Sequence, residues 1–379
     1  MYTLRFLFCS ILFVQLISCT NKEPAQVEPE VIEIDIGKKN RPLLNVSIKD
    51  LIPLEFSKNS ILEFPDKVVC YNNHFYVLNN NRFKDPSLFL FDERGHFKKK
   101  TKIGKGPGEM VEPFAFAINK EDSVILIHDM ATGRINNFDS DLNYIGCGDH
   151  DRHPISDFYH IRNDTFLGYK IWRNRDTMEE NQYYTYTLYT EGFTIAKHLD
   201  IFIYGNKGQV SLLGPVNVTN DEVLFVSPWS YNIYQLVKGQ PTIKYIVDFG
   251  RYNFTADELE KQSSDELWKQ IHGGKRIGIL IGLAKTDDFL VITTVLEEKG
   301  LIYFLSLGNK ELYCLNDCVE AGSLPDCLIS GVTNDGTLYG VVMPDDLKQF
   351  QESSGLYQEI EVDEDDNPYV ILFKVLEPE

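Results

Sequence analysis

Six times along this chain, one or two polar residues, usually including Asp or Asn, precede a run rich in β-branched and aromatic side chains. The six are Asn72-Asn73-His74-Phe75-Tyr76-Val77, Glu121-Asp122-Ser123-Val124-Ile125-Leu126, Asn163-Asp164-Thr165-Phe166-Leu167, Asn220-Asp221-Glu222-Val223-Leu224-Phe225, Thr286-Asp287-Asp288-Phe289-Leu290-Val291 and Asn334-Asp335-Gly336-Thr337-Leu338-Tyr339. Between their second residues the gaps are 49, 42, 57, 66 and 48. Several are followed by a second hairpin signal, clearest in Leu88-Phe89-Leu90-Phe91-Asp92-Glu93-Arg94-Gly95-His96-Phe97. Two hairpins in roughly 40 to 50 residues is the pattern of a four-stranded propeller blade. One blade cannot bury both faces; stacking in a ring supplies the missing core and leaves only short edges.

The expected fold is therefore all-β, a six-bladed β-propeller with four-stranded antiparallel blades, occupying 31–379 as a single domain. A pair of β-sandwiches would match the strand density, but the regular two-hairpin period favours the ring. The last blade shows three strands, near Leu328 to Val332, Thr337 to Val342 and Tyr369 to Val375. The alternating stretch Val31 to Ile36 is expected to supply its fourth and so close the ring. One segment breaks the β pattern. Thr255-Ala256-Asp257-Glu258 is a capping box, followed by Leu259, Leu267, Trp268 and Ile271 and stopped by Gly273-Gly274, which predicts one inserted helix near 255–272.

The N-terminus reads as an address. Met1 to Arg5 is short and basic and Phe6 to Ile17 is almost wholly apolar, the layout of a signal peptide over 1–18. It ends Leu16-Ile17-Ser18-Cys19. This resembles the bacterial lipobox, in which the cysteine is lipidated and becomes the mature N-terminus. Residues 19–30 are then a polar, proline-containing tether. More than one acyl chain gives durable anchoring, so the membrane is an expected partner through the N-terminal lipid and the expected location is the cell envelope, at the outer membrane.

Charge narrows the function classes. There are 37 basic and 56 acidic residues, a formal charge of −19, the opposite of the basic stripe that phosphate neutralisation requires, so nucleic acid is not an expected partner. Past Cys19 five cysteines remain, Cys70, Cys147, Cys314, Cys318 and Cys327. An exported protein permits a disulfide among the last three, and their spacing lacks the paired C-x-x-C units of a structural zinc site.

Gly104-Lys105-Gly106-Pro107-Gly108-Glu109 stands between the first two blades, and the chain ends in Asp366-Asn367-Pro368-Tyr369-Val370-Ile371-Leu372-Phe373-Lys374. With the lipobox and the repeats, these segments resemble the six-bladed β-propeller lipoproteins of Bacteroidetes, relatives of NHL- and TolB-type propellers. The resemblance implies fold, export and lipidation; it brings no established activity. The glycine-rich run is not a dinucleotide fingerprint, because Glu109 stands where a third glycine belongs, and it reads as a tight turn needing positive φ.

Propeller ligands sit over the central channel, where one mouth gathers the links between blades and the turns between second and third strands. Those segments carry Arg82, Lys105, Glu109, His128, Trp172, Arg173, Trp229 and Tyr231. Aromatics beside Arg suit sugars, peptides or carboxylates through stacking and bidentate hydrogen bonds. The same residues could equally be solvated turn cations and blade packing. His150, Asp151 and His153 form a weak candidate metal cluster without an identifiable further ligand. No G-x-S-x-G elbow is present. The expected function is a non-enzymatic, monomeric, lipid-anchored propeller that binds a glycan, peptide or outer-membrane protein at one mouth, with no cofactor. The alternative is a secreted hydrolase or lyase using the same mouth, with or without metal assistance.

Overall fold

In the computed structural model, residues 28–38, 44–63, 65–80, 86–149, 155–169, 186–199, 215–219, 222–226, 229–278, 280–297, 299–315 and 324–376 are described. Their strands form a six-bladed β-propeller, each blade an antiparallel meander read outward from its first strand. Blade 1 runs Lys67–Tyr71, His74–Asn79, Ser87–Asp92 and Phe97–Lys100. Blades 2 and 3 begin with Pro113–Asn119 and Asp157–Arg162. Blades 4, 5 and 6 begin with Val216–Val218, Leu280–Lys285 and Leu328–Val332.

The second strand of blade 1 shows why the apolar runs are continuous rather than alternating. Phe75 and Val77 face blade 6, packing with Tyr339, Val341 and Val370. Tyr76 and Leu78 face blade 2, packing with Phe116, Ile118, Ile125 and Ile127. Period-2 alternation still operates, but both faces are interior, so both registers must be apolar. The core is thus divided into layers between blades, and no blade retains a solvent face.

The ring closes with an N-terminal strand, but not the expected one. Asn45–Pro53 lies antiparallel to Tyr369–Leu376 as the outer strand of blade 6, in register from Asn45 opposite Leu376 to Pro53 opposite Tyr369. Val31 to Ile36 belongs elsewhere. Its first residues fall in the strand Glu30–Glu33, which adds in parallel to Gln240–Asp248 as a fifth, outermost strand of blade 4, where Ile32 and Ile34 are buried beside Val247. The closing segment is then tied down by Asn367, 1% exposed. Its amide donates to the carbonyls of Glu55 (2.8 Å) and Ser60, and its Oδ1 accepts from Leu62 N–H at 2.7 Å. That explains the asparagine of the C-terminal Asp-Asn-Pro-Tyr stretch.

The helical insertion is two helices rather than one, α1 (Ala256–Lys261) and α2 (Ser264–His272). Each has its own complete capping box, at Thr255/Glu258 and Ser263/Glu266. The second box restarts the helix after Gln262, which has extended backbone. A further helix, α3 (Pro344–Ser354), joins the second and third strands of blade 6. Sequence reasoning missed it although Pro344 at N1 and acidic Asp345 and Asp346 are helix-start signals. Leu347 and Phe350, one turn apart, are its buried anchors.

Among the described residues no helix is long and apolar enough to cross a membrane. Cys70, Cys147 and Cys327 are free thiols, and burial pushes the Cys327 thiol up to about 12. Cys318 lies outside the described residues.

Candidate functional site

The six first strands surround a central channel of about 480 Å³, within the range of small-molecule sites. Because every blade repeats one meander, the starts of these strands lie at one mouth with the inter-blade links. Their ends lie at the opposite mouth with the first hairpin turns. Backbone edges of the first strands border the space, and among the charged side chains around it Lys67 pairs with Asp157 and Lys285 with Glu222.

At the first mouth, Lys67 opens the inner strand of blade 1. Its Nζ donates to Asp157 Oδ1 of blade 3 at 2.7 Å, to the Phe116 carbonyl of blade 2 at 2.9 Å and to the Phe158 carbonyl at 3.3 Å. The ammonium lies 4.1 Å from the Tyr159 ring centroid, and the Tyr159 hydroxyl donates to Asp157 Oδ2 at 2.5 Å. Burial, and after it the Asp157 carboxylate, holds that hydroxyl well above its ordinary range, so it stays a donor. Lys67 thereby spends its three donors knitting three blades together. Asp66, beside it, accepts from Asn80 N–H at 2.6 Å, and burial raises its carboxyl above the ordinary value.

At the second mouth, Glu222 occupies the first hairpin turn of blade 4. It accepts from Lys244 of the outer strand and, at 2.5 Å, from Lys285 at the end of the inner strand of blade 5. Burial alone would raise this carboxyl, but the hydrogen bonds and charges of the two ammoniums outweigh it and hold it below its ordinary value. Alongside, Asn217 Oδ1 accepts from the Lys285 backbone N–H at 3.2 Å. His160, on the inner strand of blade 3, also lines the channel, its Nε2 2.5 Å from the Asn163 carbonyl.

Of the residues expected to form the ligand surface, the five that are described do not line this channel. Lys105 is exposed and Glu109 half-buried in the link after blade 1, where Glu109 Oε2 accepts from Gly106 N–H at 2.9 Å. The glycines are dictated by that turn. Gly104 and Gly108 have φ of 154° and 73°, and a Cβ on Gly104 would lie 2.1 Å from Glu109 Oε2. Glu109 is used to fold its own link. His128 is 1% exposed, its Nδ1 3.1 Å from the Ile155 carbonyl.

Trp229 is 5% exposed and packs edge-on against Phe254 and Trp268, with Leu259, Leu267 and Ile271 completing the cluster. It is the seat on which α1 and α2 dock. Tyr231 donates to the Ile277 carbonyl at 2.5 Å and accepts from Phe254 N–H at 2.8 Å, which fixes the chain leading into and out of those helices. None of these five lines the channel. Arg82, Trp172, Arg173, His150, Asp151, His153 and Cys19 lie outside the described residues. Among the described residues no group of three or more His, Cys, Asp or Glu is placed to hold a metal ion.

Residues 31–374 match the family described as a domain of unknown function, DUF4934. The chain is a member of the DUF4934 family. None of the curated proteins matches it significantly. Among solved structures, this DUF4934 protein is similar to a Bacteroides fragilis protein assigned as exported, at 14% identity and a TM-score of 0.70, covering 92% of this chain and 99% of that one. It is also similar to a member of the DUF4221 family from Bacteroides vulgatus, at 11% identity and a TM-score of 0.60, covering 89% and 100%. At such identities the likeness speaks for the propeller fold alone, which DUF4934 thus shares with proteins of quite different sequence.

Proposed function

We propose that this DUF4934 protein is an exported, lipid-anchored propeller that binds a small ligand in its central channel without chemical conversion. The observation carrying the reading is the channel itself, about 480 Å³ and lined by the first strands of all six blades. The channel is therefore the site of choice. Glycans and peptides remain the ligand classes, since both carry many hydrogen-bonding groups and fit a channel of this size.

The test is a glycan and peptide array probed with the wild-type chain and with Ser330→Trp, which fills the channel from the inner strand of blade 6. Retention by wild type and loss by the variant, with melting temperatures within a few degrees, is the expected result. Equal retention by both would place the site outside the channel.

Export rests on the basic and apolar start of the chain, and anchoring on Cys19. Cys19→Ala is expected to move the protein from the membrane fraction to the soluble one, or to arrest its maturation. Processed protein that stays membrane-bound after the substitution would remove the lipid anchor from this reading.

A further inference from the structure

We propose that the cleft between blades 2 and 3 takes a lysine side chain of a partner polypeptide, its stem on the apolar walls and its ammonium between Asp122 and Asp164. The cleft shares no lining residue with the channel among the described residues, so the inference stands apart from the channel reading.

The cleft holds about 230 Å³, less than the roughly 300–1,000 Å³ of small-molecule sites and on the scale of one long side chain. Leu126 and Ile135 of blade 2 and Phe166 and Phe193 of blade 3 wall it, the two phenylalanines stacked with ring centroids 4.8 Å apart. Two glycines keep it open. Gly148 lies in Tyr144–Asp149, the outer strand of blade 2, opposite Ile135, so both present the same face to the cleft. Its φ lies outside the left-handed region, and an added Cβ would meet nothing within 4 Å. A glycine inside a strand weakens it and marks a place where a ligand or another backbone comes close. Neither strain nor crowding demands this one. Gly192, exposed in the second hairpin turn of blade 3, likewise has open space beside it at the lip.

The lip supplies the charge. Asp122 and Asp164 are exposed in the first hairpin turns of blades 2 and 3. Asn119 holds the first of these turns. Its Oδ1 accepts from the N–H groups of Glu121 and Asp122 at 3.0 and 3.3 Å, and its Nδ2 donates to Asp122 Oδ2 at 2.9 Å. Glu121 Oε1 then accepts from Asn163 N–H at 2.9 Å, which ties the two turns together. Among the described residues that line the cleft there is no cation. Apolar walls under two carboxylates match a side chain that buries its stem and keeps an ammonium at the rim. Lysine suits this lip better than arginine, because Asn119 already engages one Asp122 oxygen and a guanidinium fork takes both oxygens of one carboxylate. The formal charge of −19 adds long-range attraction for a basic partner.

The full chain is titrated by ligand-observed NMR with N-acetylglycyl-lysyl-glycinamide, with the same peptide carrying norleucine for lysine, and with cadaverine. The lysine peptide should bind roughly threefold to thirtyfold tighter than the norleucine one, the scale of two exposed ion pairs, and the gap should shrink as salt rises. Gly148→Val fills the cleft from a position where the side chain has room. It should abolish binding with the melting temperature unchanged or raised. Asp122→Asn with Asp164→Asn should bring the lysine peptide down to the norleucine level, and this variant decides if Gly148→Val does not fold. No binding of the lysine peptide, equal binding of the two peptides, or unchanged affinity in the variants would overturn the inference. Cadaverine bound as tightly as the lysine peptide would also overturn it, since the occupant would then be a free diamine rather than a partner's side chain.

Discussion

Lys67→Met is expected to destabilise the ring by about 3–5 kcal/mol, the cost of breaking a buried ion pair by removing one partner. The side chains of Lys67 and Asp157 are 17% and 8% exposed, so Asp157 cannot recover its lost charge partner from bulk water. The Phe116 carbonyl loses its donor at the same time. The three groups come from three blades, and the loss falls on the packing between blades rather than within one. The double variant Lys67→Met/Asp157→Leu should lose less than Lys67→Met alone, because no uncompensated charge remains. Urea unfolding followed by circular dichroism measures both. A single-variant loss below about 1 kcal/mol, the ceiling for most exposed pairs, would mean that water enters the knot and that it does not hold the blades.

The hairpins were legible because their turns need unusual backbone. Asn72, Asn73, Ser123 and Asn163 have positive φ, as does Gly336, and Asn and Gly are the residues that take it at least cost. The repeat is in effect a list of first hairpin turns. Strand partners are less visible. Val31 to Ile36 alternates and Asn45–Pro53 alternates only as far as Ile48, and nothing local says which outer edge each joins; only the assembled ring decides. The site was hidden for a related reason. Lys67 and Asp157 at one mouth, like Glu222 and Lys285 at the other, are single polar residues near apolar strands, and only the assembled ring makes each pair neighbours. Trp229 and Tyr231 stood in the right turn but beside an insertion whose apolar helix faces needed a seat, and packing claimed both.

The corrected closure gives the second large effect, and the two N-terminal strands separate it. A chain lacking residues through Pro53 loses the outer strand of blade 6, exposing the edge of Tyr369–Leu376 along the register from Asn45 to Pro53. It also loses Leu51 and Ile52, both buried, each worth about 1.5–3 kcal/mol. An open apolar edge is a template for pairing between molecules, so this chain should fail to fold or elute as aggregate. A chain lacking only residues through Ile36 keeps the closing strand and loses a fifth strand on blade 4 with Ile32 and Ile34. It should melt lower but remain folded and monomeric. Asn367→Ala tests the same clasp without truncation, leaving the Leu62 N–H and the Ser60 carbonyl without their partner, while the Glu55 carbonyl keeps the Ser60 hydroxyl. It should cost about 1–3 kcal/mol for each group that water does not reach. Size-exclusion chromatography with thermal melts ranks the three chains. If truncation through Ile36 proves as damaging as truncation through Pro53, blade 4 rather than blade 6 is where the N-terminus holds the ring shut.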